Sequence, residues 1–210
     1  MSLISFDEEI KKIYKRKYLI GVDEAGRGPL AGPVVAGACV YFRTDADFIP
    51  QINDSKKLSS KKRDEIFKKI ISSSMLRVSF SYSSNYEIDS LNILNATIVA
   101  MRKAVIKLME YTGFEEEDVL VIVDGNKKIT GLNLMQIPIV KGDLKSLSIA
   151  TASIFAKVIR DRWMNVIDIL YPYYQFKKHK GYPTKLHMEL IKKHGLSPYH
   201  RRSFSPCCNL

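Results

Sequence analysis

Four carboxylates stand at the ends of apolar runs. Asp23 and Glu24 follow Tyr18-Leu19-Ile20-Gly21-Val22, and Asp124 follows Val119-Leu120-Val121-Ile122-Val123. Asp143 comes just after the short run from Ile137 to Val140. Short apolar runs bounded by glycine turns read as buried strands, and a charge at the end of a core strand is costly unless it is paired or holds a metal. Asp124 lies about a hundred residues from the first pair, so the four meet only if these strand ends converge on one rim of a sheet. Gathered there they would repel and raise one another's pKa. A divalent cation removes that conflict, and an oxygen-only donor set points to Mg²⁺ or Mn²⁺ rather than zinc. The chain also carries 33 Lys and Arg against 22 Asp and Glu, a net charge of +11, which suits a polyanionic partner, nucleic acid first among them. An acidic pit in a basic surface suits phosphodiester hydrolysis, with two ions clamping the scissile phosphate.

Taken singly, each residue has a plainer reading. Asp23-Glu24 could belong to a solvated loop, Asp124-Gly125-Asn126 to a turn, and Asp143 to a helix N-cap. Because successive strand residues face opposite ways, Asp23 and Glu24 share a ligand only if the strand breaks at them. Gly26 and Gly28 would permit such a break and would let bare backbone come close to a ligand.

The elements that must position these groups follow from the pattern. The first strand is expected at 18–22, a second at 34–42 paired antiparallel with it, a third around Val78, Phe80 and Tyr82, a fourth at 119–123 and a fifth at 137–140, where Pro138 marks a sheet edge. Residues 1–17 form a basic arm or short helix. Ser59 or Ser60 caps a helix to about Ile71, and Ile88, Leu91, Leu94, Ile98, Met101, Val105 and Leu108 recur at helical spacing between Glu87 and Met109. A helix rich in small residues runs from after Asp143 to about Tyr171, with Lys157, Arg160 and Asp161 off its apolar face. A basic, aromatic segment follows, with a short helix near 186–194 on which His187 and His194 read as packing or surface residues. The expected division is a catalytic domain at 1–172 and an extension at 173–210.

Bulk features limit the setting. The 210 residues suit one good-sized domain. Three cysteines, Cys39, Cys207 and Cys208, suggest a reducing compartment without a disulfide framework. No apolar run is long enough to span a membrane, so cytoplasmic residence is the expectation.

The string Asp23-Glu24-Ala25-Gly26-Arg27-Gly28-Pro29-Leu30-Ala31-Gly32-Pro33 closely resembles the opening motif of the type 2 ribonucleases H, the bacterial ribonuclease HII group. The resemblance continues in family order through Asp124-Gly125-Asn126, Lys141-Gly142-Asp143 with Ser148-Ile149-Ala150, and His179-Lys180-Gly181-Tyr182-Pro183-Thr184 with His187 and His200-Arg201. It covers roughly residues 18–205, with Thr151 standing where the family usually has alanine. It implies an α/β, ribonuclease H-like fold: a mixed five-stranded sheet flanked by helices, with a small helical C-terminal extension. It implies endonucleolytic cleavage of RNA in RNA–DNA hybrids and at single ribonucleotides within duplex DNA, leaving 5′-phosphate and 3′-hydroxyl ends. Asp23, Glu24, Asp124 and Asp143 would be the catalytic residues and hold Mn²⁺ or Mg²⁺, two ions with substrate bound. Gly26, Arg27 and Gly28 would contact the ribose 2′-hydroxyl, and Tyr182 would pack on the sugar of the adjoining deoxynucleotide. Lys56, Ser148 and Lys157 would add substrate contacts, with phosphate contacts also among Lys57, Lys177, Lys178, Lys180, Arg201 and Arg202. A monomer suffices for all of this. The rivals are a transposase or junction-resolving nuclease of the same fold and a catalytically silent nucleic-acid-binding protein.

Overall fold

The computed structural model describes residues 2–54 and 58–209, so the expected contacts at Lys56 and Lys57 lie outside the described residues. Five strands form one mixed sheet: β1 Tyr18–Ala25, β2 Val34–Tyr41, β3 Leu76–Ser83, β4 Val119–Asp124 and β5 Met135–Ile139, in the order β3-β2-β1-β4-β5. β1–β2 and β2–β3 are antiparallel; β1–β4 and β4–β5 are parallel. The central strands are buried almost throughout, as their apolar runs require. Pro138 sits on β5, an edge strand, where its missing N–H is tolerated.

Helices cover both faces. The elements are α1 Leu3–Tyr14, α2 Ser60–Ser72, α3 Asn85–Thr112, α4 Leu147–Leu170, α5 Phe176–His179 and α6 Lys185–His194. On one face Ile20, Val22, Ala36, Ala38 and Val121 pack on Ala100, Met101, Ala104 and Val105 of α3. On the other, Leu147, Ala150, Ile154 and Phe155 of α4 pack with Ile66, Phe67 and Ile70 of α2. The small residues of α4 let it press on the sheet: a Cβ added to Gly21 would stand 2.3 Å from the Ile149 amide nitrogen, and one on Gly37 would stand 2.6 Å from the Ala152 carbonyl oxygen.

Three details depart from the sequence pattern. Helix α3 breaks at Asn92, whose φ is 65° and whose side-chain oxygen accepts from the Asn95 amide, restarting the helix as a cap would. Arg160, expected off the apolar face of α4, is fully buried. Strand β1 does not stop at Val22. It stays paired with β2 through Ala25, while its pairing with β4 ends at Val22 opposite Val123. Asp23 and Glu24 therefore lie on a strand that is hydrogen-bonded on one side only, and the chain turns later, at Gly26, with φ 100°.

Candidate active site

The strand's period of two puts Asp23 on the same face as Gly21, beneath α4, and Glu24 on the α3 face. Glu24 nonetheless lies at the rim and lines hollows on both sides. Asp23 is 6% exposed; its Oδ1 accepts from the Glu24 amide at 2.7 Å, and the Ser153 side chain bonds it from α4. Asp124 ends β4, the strand next to β1, and its Oδ1 accepts from the Gly142 amide at 2.6 Å. That contact ties the end of β4 to the 3₁₀ turn Gly142–Leu144, which carries the buried Asp143. Asp143 does not cap α4: Ser146 does, accepting from the Ile149 amide.

The carboxylates act on one another. Burial, then the charges of Glu24 and Asp124, hold Asp23 well above the usual carboxylate range. Burial also raises Glu24, with Arg27 opposing and Asp124 adding to the rise. Arg27 Nη1 lies 3.4 Å from Glu24 Oε1. Among the described residues, no three His, Cys, Asp or Glu side chains stand together closely enough to hold a metal ion by themselves. The donors are all oxygen and share a charge conflict, which suits a hard divalent cation held by one or two carboxylates and completed by a substrate phosphate.

Beside this rim, Tyr182 and Gly28 face each other: a Cβ on Gly28 would come within 4.0 Å of Tyr182 Cε1 and touch nothing else. A hollow of about 320 Å³ lined by Glu24, Gly26, Ser153, Lys157 and Tyr182 opens here. It shares Arg63, Lys157 and Tyr182 with a groove of about 700 Å³ that Arg162, Lys177, Lys178 and Lys180 also line. Lys157 thus lies in the site and pairs with Asp161 at 2.7 Å.

Two expected contacts are corrected. Ser148 is buried, and both its amide and its hydroxyl donate to Asp7 Oδ2 at 2.9 Å, so it anchors α1 to α4 instead of meeting substrate. Arg201, expected among the surface cations, is fully buried: Nε donates to the Gly32 carbonyl at 3.0 Å, Nη1 to Arg27 at 2.9 Å and Nη2 to Gly26 at 2.6 Å. Arg160 holds the same loop, donating to the carbonyls of Pro33 and Ala31. Burial depresses both guanidiniums, to about 10 for Arg160 and about 9 for Arg201. The glycine–arginine–glycine turn is therefore shaped by arginines from α4 and from the C-terminal segment. Sequence reasoning missed this role, although Arg160 falls within a helix pressed on the sheet and Arg201 within a familial motif.

A five-stranded mixed sheet with helices on both faces and acidic groups at the exposed ends of adjacent strands defines a ribonuclease H-like fold. The ribonuclease H2 of Pyrococcus horikoshii OT3 superposes with a TM-score of 0.69 at 26% identity, covering 91% of this chain and 96% of that one. Bst-RNase HIII in complex with Mn²⁺ gives 0.69 at 18% identity, covering 91% and 68%. Residues 20–207 match the family Ribonuclease HII. A ribonuclease HII of Endomicrobium trichonymphae is 47% identical over 98% of this chain and 93% of its own length, and one of Clostridioides difficile strain 630 is 51% identical over 89% and 69%. The chain belongs to the ribonuclease HII family. It is a hydrolytic endoribonuclease acting on the RNA of RNA–DNA hybrids, in a metal-dependent family.

Proposed function

We propose that Asp23, Glu24, Asp124 and Asp143 form the catalytic centre and would hold Mn²⁺ or Mg²⁺, two ions with substrate bound. The observation that carries this is the charge conflict among Asp23, Glu24 and Asp124 at a rim bordered by basic grooves. Bound there, divalent ions would polarise the scissile phosphate and supply a nucleophilic water at neutral pH. Asp23 and Glu24 present oxygens on the two sides of β1. Asp124, fixed by the Gly142 amide, holds the neighbouring strand end in register with them. Asp143 is carried on the turn that this same bond secures.

Selection of the cleavage position belongs to the Gly26-Arg27-Gly28 turn and Tyr182. With its carbonyls bound by Arg201, the turn offers bare backbone toward Tyr182, and the gap at Gly28 admits a sugar. The 2′-hydroxyl is the group that tells RNA from DNA, so a site that reads one sugar oxygen would nick at a single ribonucleotide in duplex DNA, leaving 5′-phosphate and 3′-hydroxyl ends. Lys157 and the groove cations would meet the duplex phosphates. In this reading residues 1–172 are the catalytic domain and 173–210 complete the substrate site. The enzyme works as a monomer in the cytoplasm, and no helix among the described residues is long and apolar enough to cross a membrane.

The test is cleavage of duplex DNA holding one ribonucleotide, by the parent and by Asp124→Asn, with Mn²⁺, Mg²⁺ or EDTA. The expected result is a metal-dependent nick at the ribonucleotide, abolished by EDTA and by the substitution. Uniform cutting of ordinary DNA, or binding without cutting, would overturn the reading.

A further inference from the structure

Behind the Tyr182 loop lie three buried imidazoles, His179, His187 and His200. Their hydrogen bonds decide where each proton sits. The Ser197 amide donates to His200 Nδ1 at 2.8 Å, so that nitrogen holds a lone pair and the neutral ring carries its proton on Nε2. His200 Nε2 lies 3.1 Å from His187 Nε2, which must then accept. The proton of His187 is left on Nδ1, 2.9 Å from the Tyr182 carbonyl oxygen. Any other neutral assignment sets two N–H groups or two lone pairs against each other, or leaves a buried donor unmet. Donation therefore runs one way: Ser197 to His200 to His187 to Tyr182. His179 stacks on His187 at 4.1 Å and is fixed likewise, accepting from the Gly181 amide and donating to the Tyr174 carbonyl. Every ring nitrogen of the three is engaged, so the cluster has no lone pair to offer a metal. Burial favours the neutral rings throughout.

We propose that His187 and His200 are positioning residues: as a directional pair of neutral imidazoles they hold the Tyr182 carbonyl, and with it set where the Tyr182 ring stands against Gly28. The Thr184 amide shares that carbonyl at 2.8 Å, and the Gly181 carbonyl is held by the Leu30 amide at 2.7 Å, so the tyrosine loop is fastened from both sides. This inference rests on the reading that Tyr182 packs on a deoxynucleotide sugar beside the cut. Loss of the relay should therefore relax the preference for an embedded ribonucleotide, where that sugar occurs, and spare an all-RNA strand.

Two measurements test it. In long-range ¹H–¹⁵N spectra of the parent protein with labelled histidine, His187 should be the Nδ1–H tautomer and His200 the Nε2–H tautomer; finding His187 as Nε2–H overturns the relay. In kinetics, His200→Asn removes the donor to His187, whereas the amide of His200→Gln still reaches it. His200→Asn should lower the ratio of kcat/KM on an embedded ribonucleotide to kcat/KM on an all-RNA hybrid by about tenfold, the scale of one lost neutral hydrogen bond. His200→Gln should restore most of that ratio. In a His187→Leu background, which removes the donor to the Tyr182 carbonyl, His200→Asn should add nothing. Equal losses on both substrates would mean a structural role only and overturn the proposal. Tyr182→Ala separates the two ideas: if it leaves the ratio unchanged, the reading of Tyr182 fails; if it moves the ratio and His200→Asn does not, the positioning role fails. Should His200→Asn not fold, the tautomers and the His187→Leu ratio decide, an unchanged ratio overturning the proposal.

Discussion

Gly28→Ala should separate selection from stability within one motif. Gly28 lies outside the left-handed region, and a methyl there would meet only Tyr182 Cε1, at 4.0 Å. Neither backbone nor packing demands glycine at this position. Where the native conformation accepts alanine, the exchange stabilises by about 0.4–1 kcal/mol through the unfolded chain, which for a chain of this size is about 1–4 °C in Tm. Gly26 is the contrast. Its φ is 100°, and a methyl would lie 2.1 Å from Arg160 Nε and 2.9 Å from the Pro33 carbonyl oxygen. Strain of about 1–2 kcal/mol and displacement of a buried guanidinium from two carbonyls should together cost about 3 kcal/mol or more, lowering Tm by about 6–12 °C. Under the proposed function, the methyl of Gly28→Ala fills the gap a sugar would enter, and a misplacement near 1 Å costs about 10²-fold in rate. The assay is thermal unfolding by circular dichroism beside single-turnover cleavage of duplex DNA with one ribonucleotide. Gly28→Ala should melt no lower than the parent and cut about a hundredfold more slowly. Full activity in Gly28→Ala, or a melting loss matching that of Gly26→Ala, would refute the reasoning.

Arg201→Ala should lower Tm by about 6 °C or more, since three loop carbonyls lose charged donors worth about 1.5–3 kcal/mol each before relaxation; a change under about 2 °C would contradict the loop-holding role. Ser148→Ala should cost about 1 kcal/mol by denaturant titration and leave cleavage intact, because it loses a bond to Asp7 and no substrate contact. His187 and His200 titrate near 4 in the fold against 6.5 unfolded. The unfolded chain therefore binds more protons in that window, so stability is complete above about pH 6.5 and falls as the pH drops toward 4, by about 2 kcal/mol for each histidine at pH 5. Urea midpoints at pH 7 and pH 5, in the parent and with both histidines replaced, measure it as the difference between the two proteins, because Asp7, Asp23 and Glu24, all raised by burial, take up protons in the fold over the same window and oppose the trend.

What the chain discloses before its fold is known depends on the distance over which each residue acts. The five strands and the long helices are readable because burial stamps a local period on the sequence. The meeting of Asp23 and Glu24 with Asp124 is readable because two apolar runs end in carboxylates, a local sign of a shared end. The extension of β1 through Ala25 is not readable: only its partner β2, opposite Asp23, Glu24 and Ala25, keeps those residues in the sheet. Arg160, Arg201 and Ser148 mislead for a related reason. Their polarity suggests the surface, yet their partners are backbone carbonyls or Asp7, 127 to 175 residues away in the case of the arginines and 141 for the serine. Only the folded chain brings those acceptors to them. The histidines belong here too, since His187 reads as packing until His200 supplies the proton it accepts.

The turn at Gly26 is written near the start of the chain but finished near its close, by Arg201 and by the pairing of Ala31 with His200. A ribosome making this protein thus exposes the sheet strands and their carboxylates before the turn at Gly26 has its braces. Nascent chains halted ahead of residue 200 would lack both braces, so the shape of this turn is the last part of the fold that synthesis can complete.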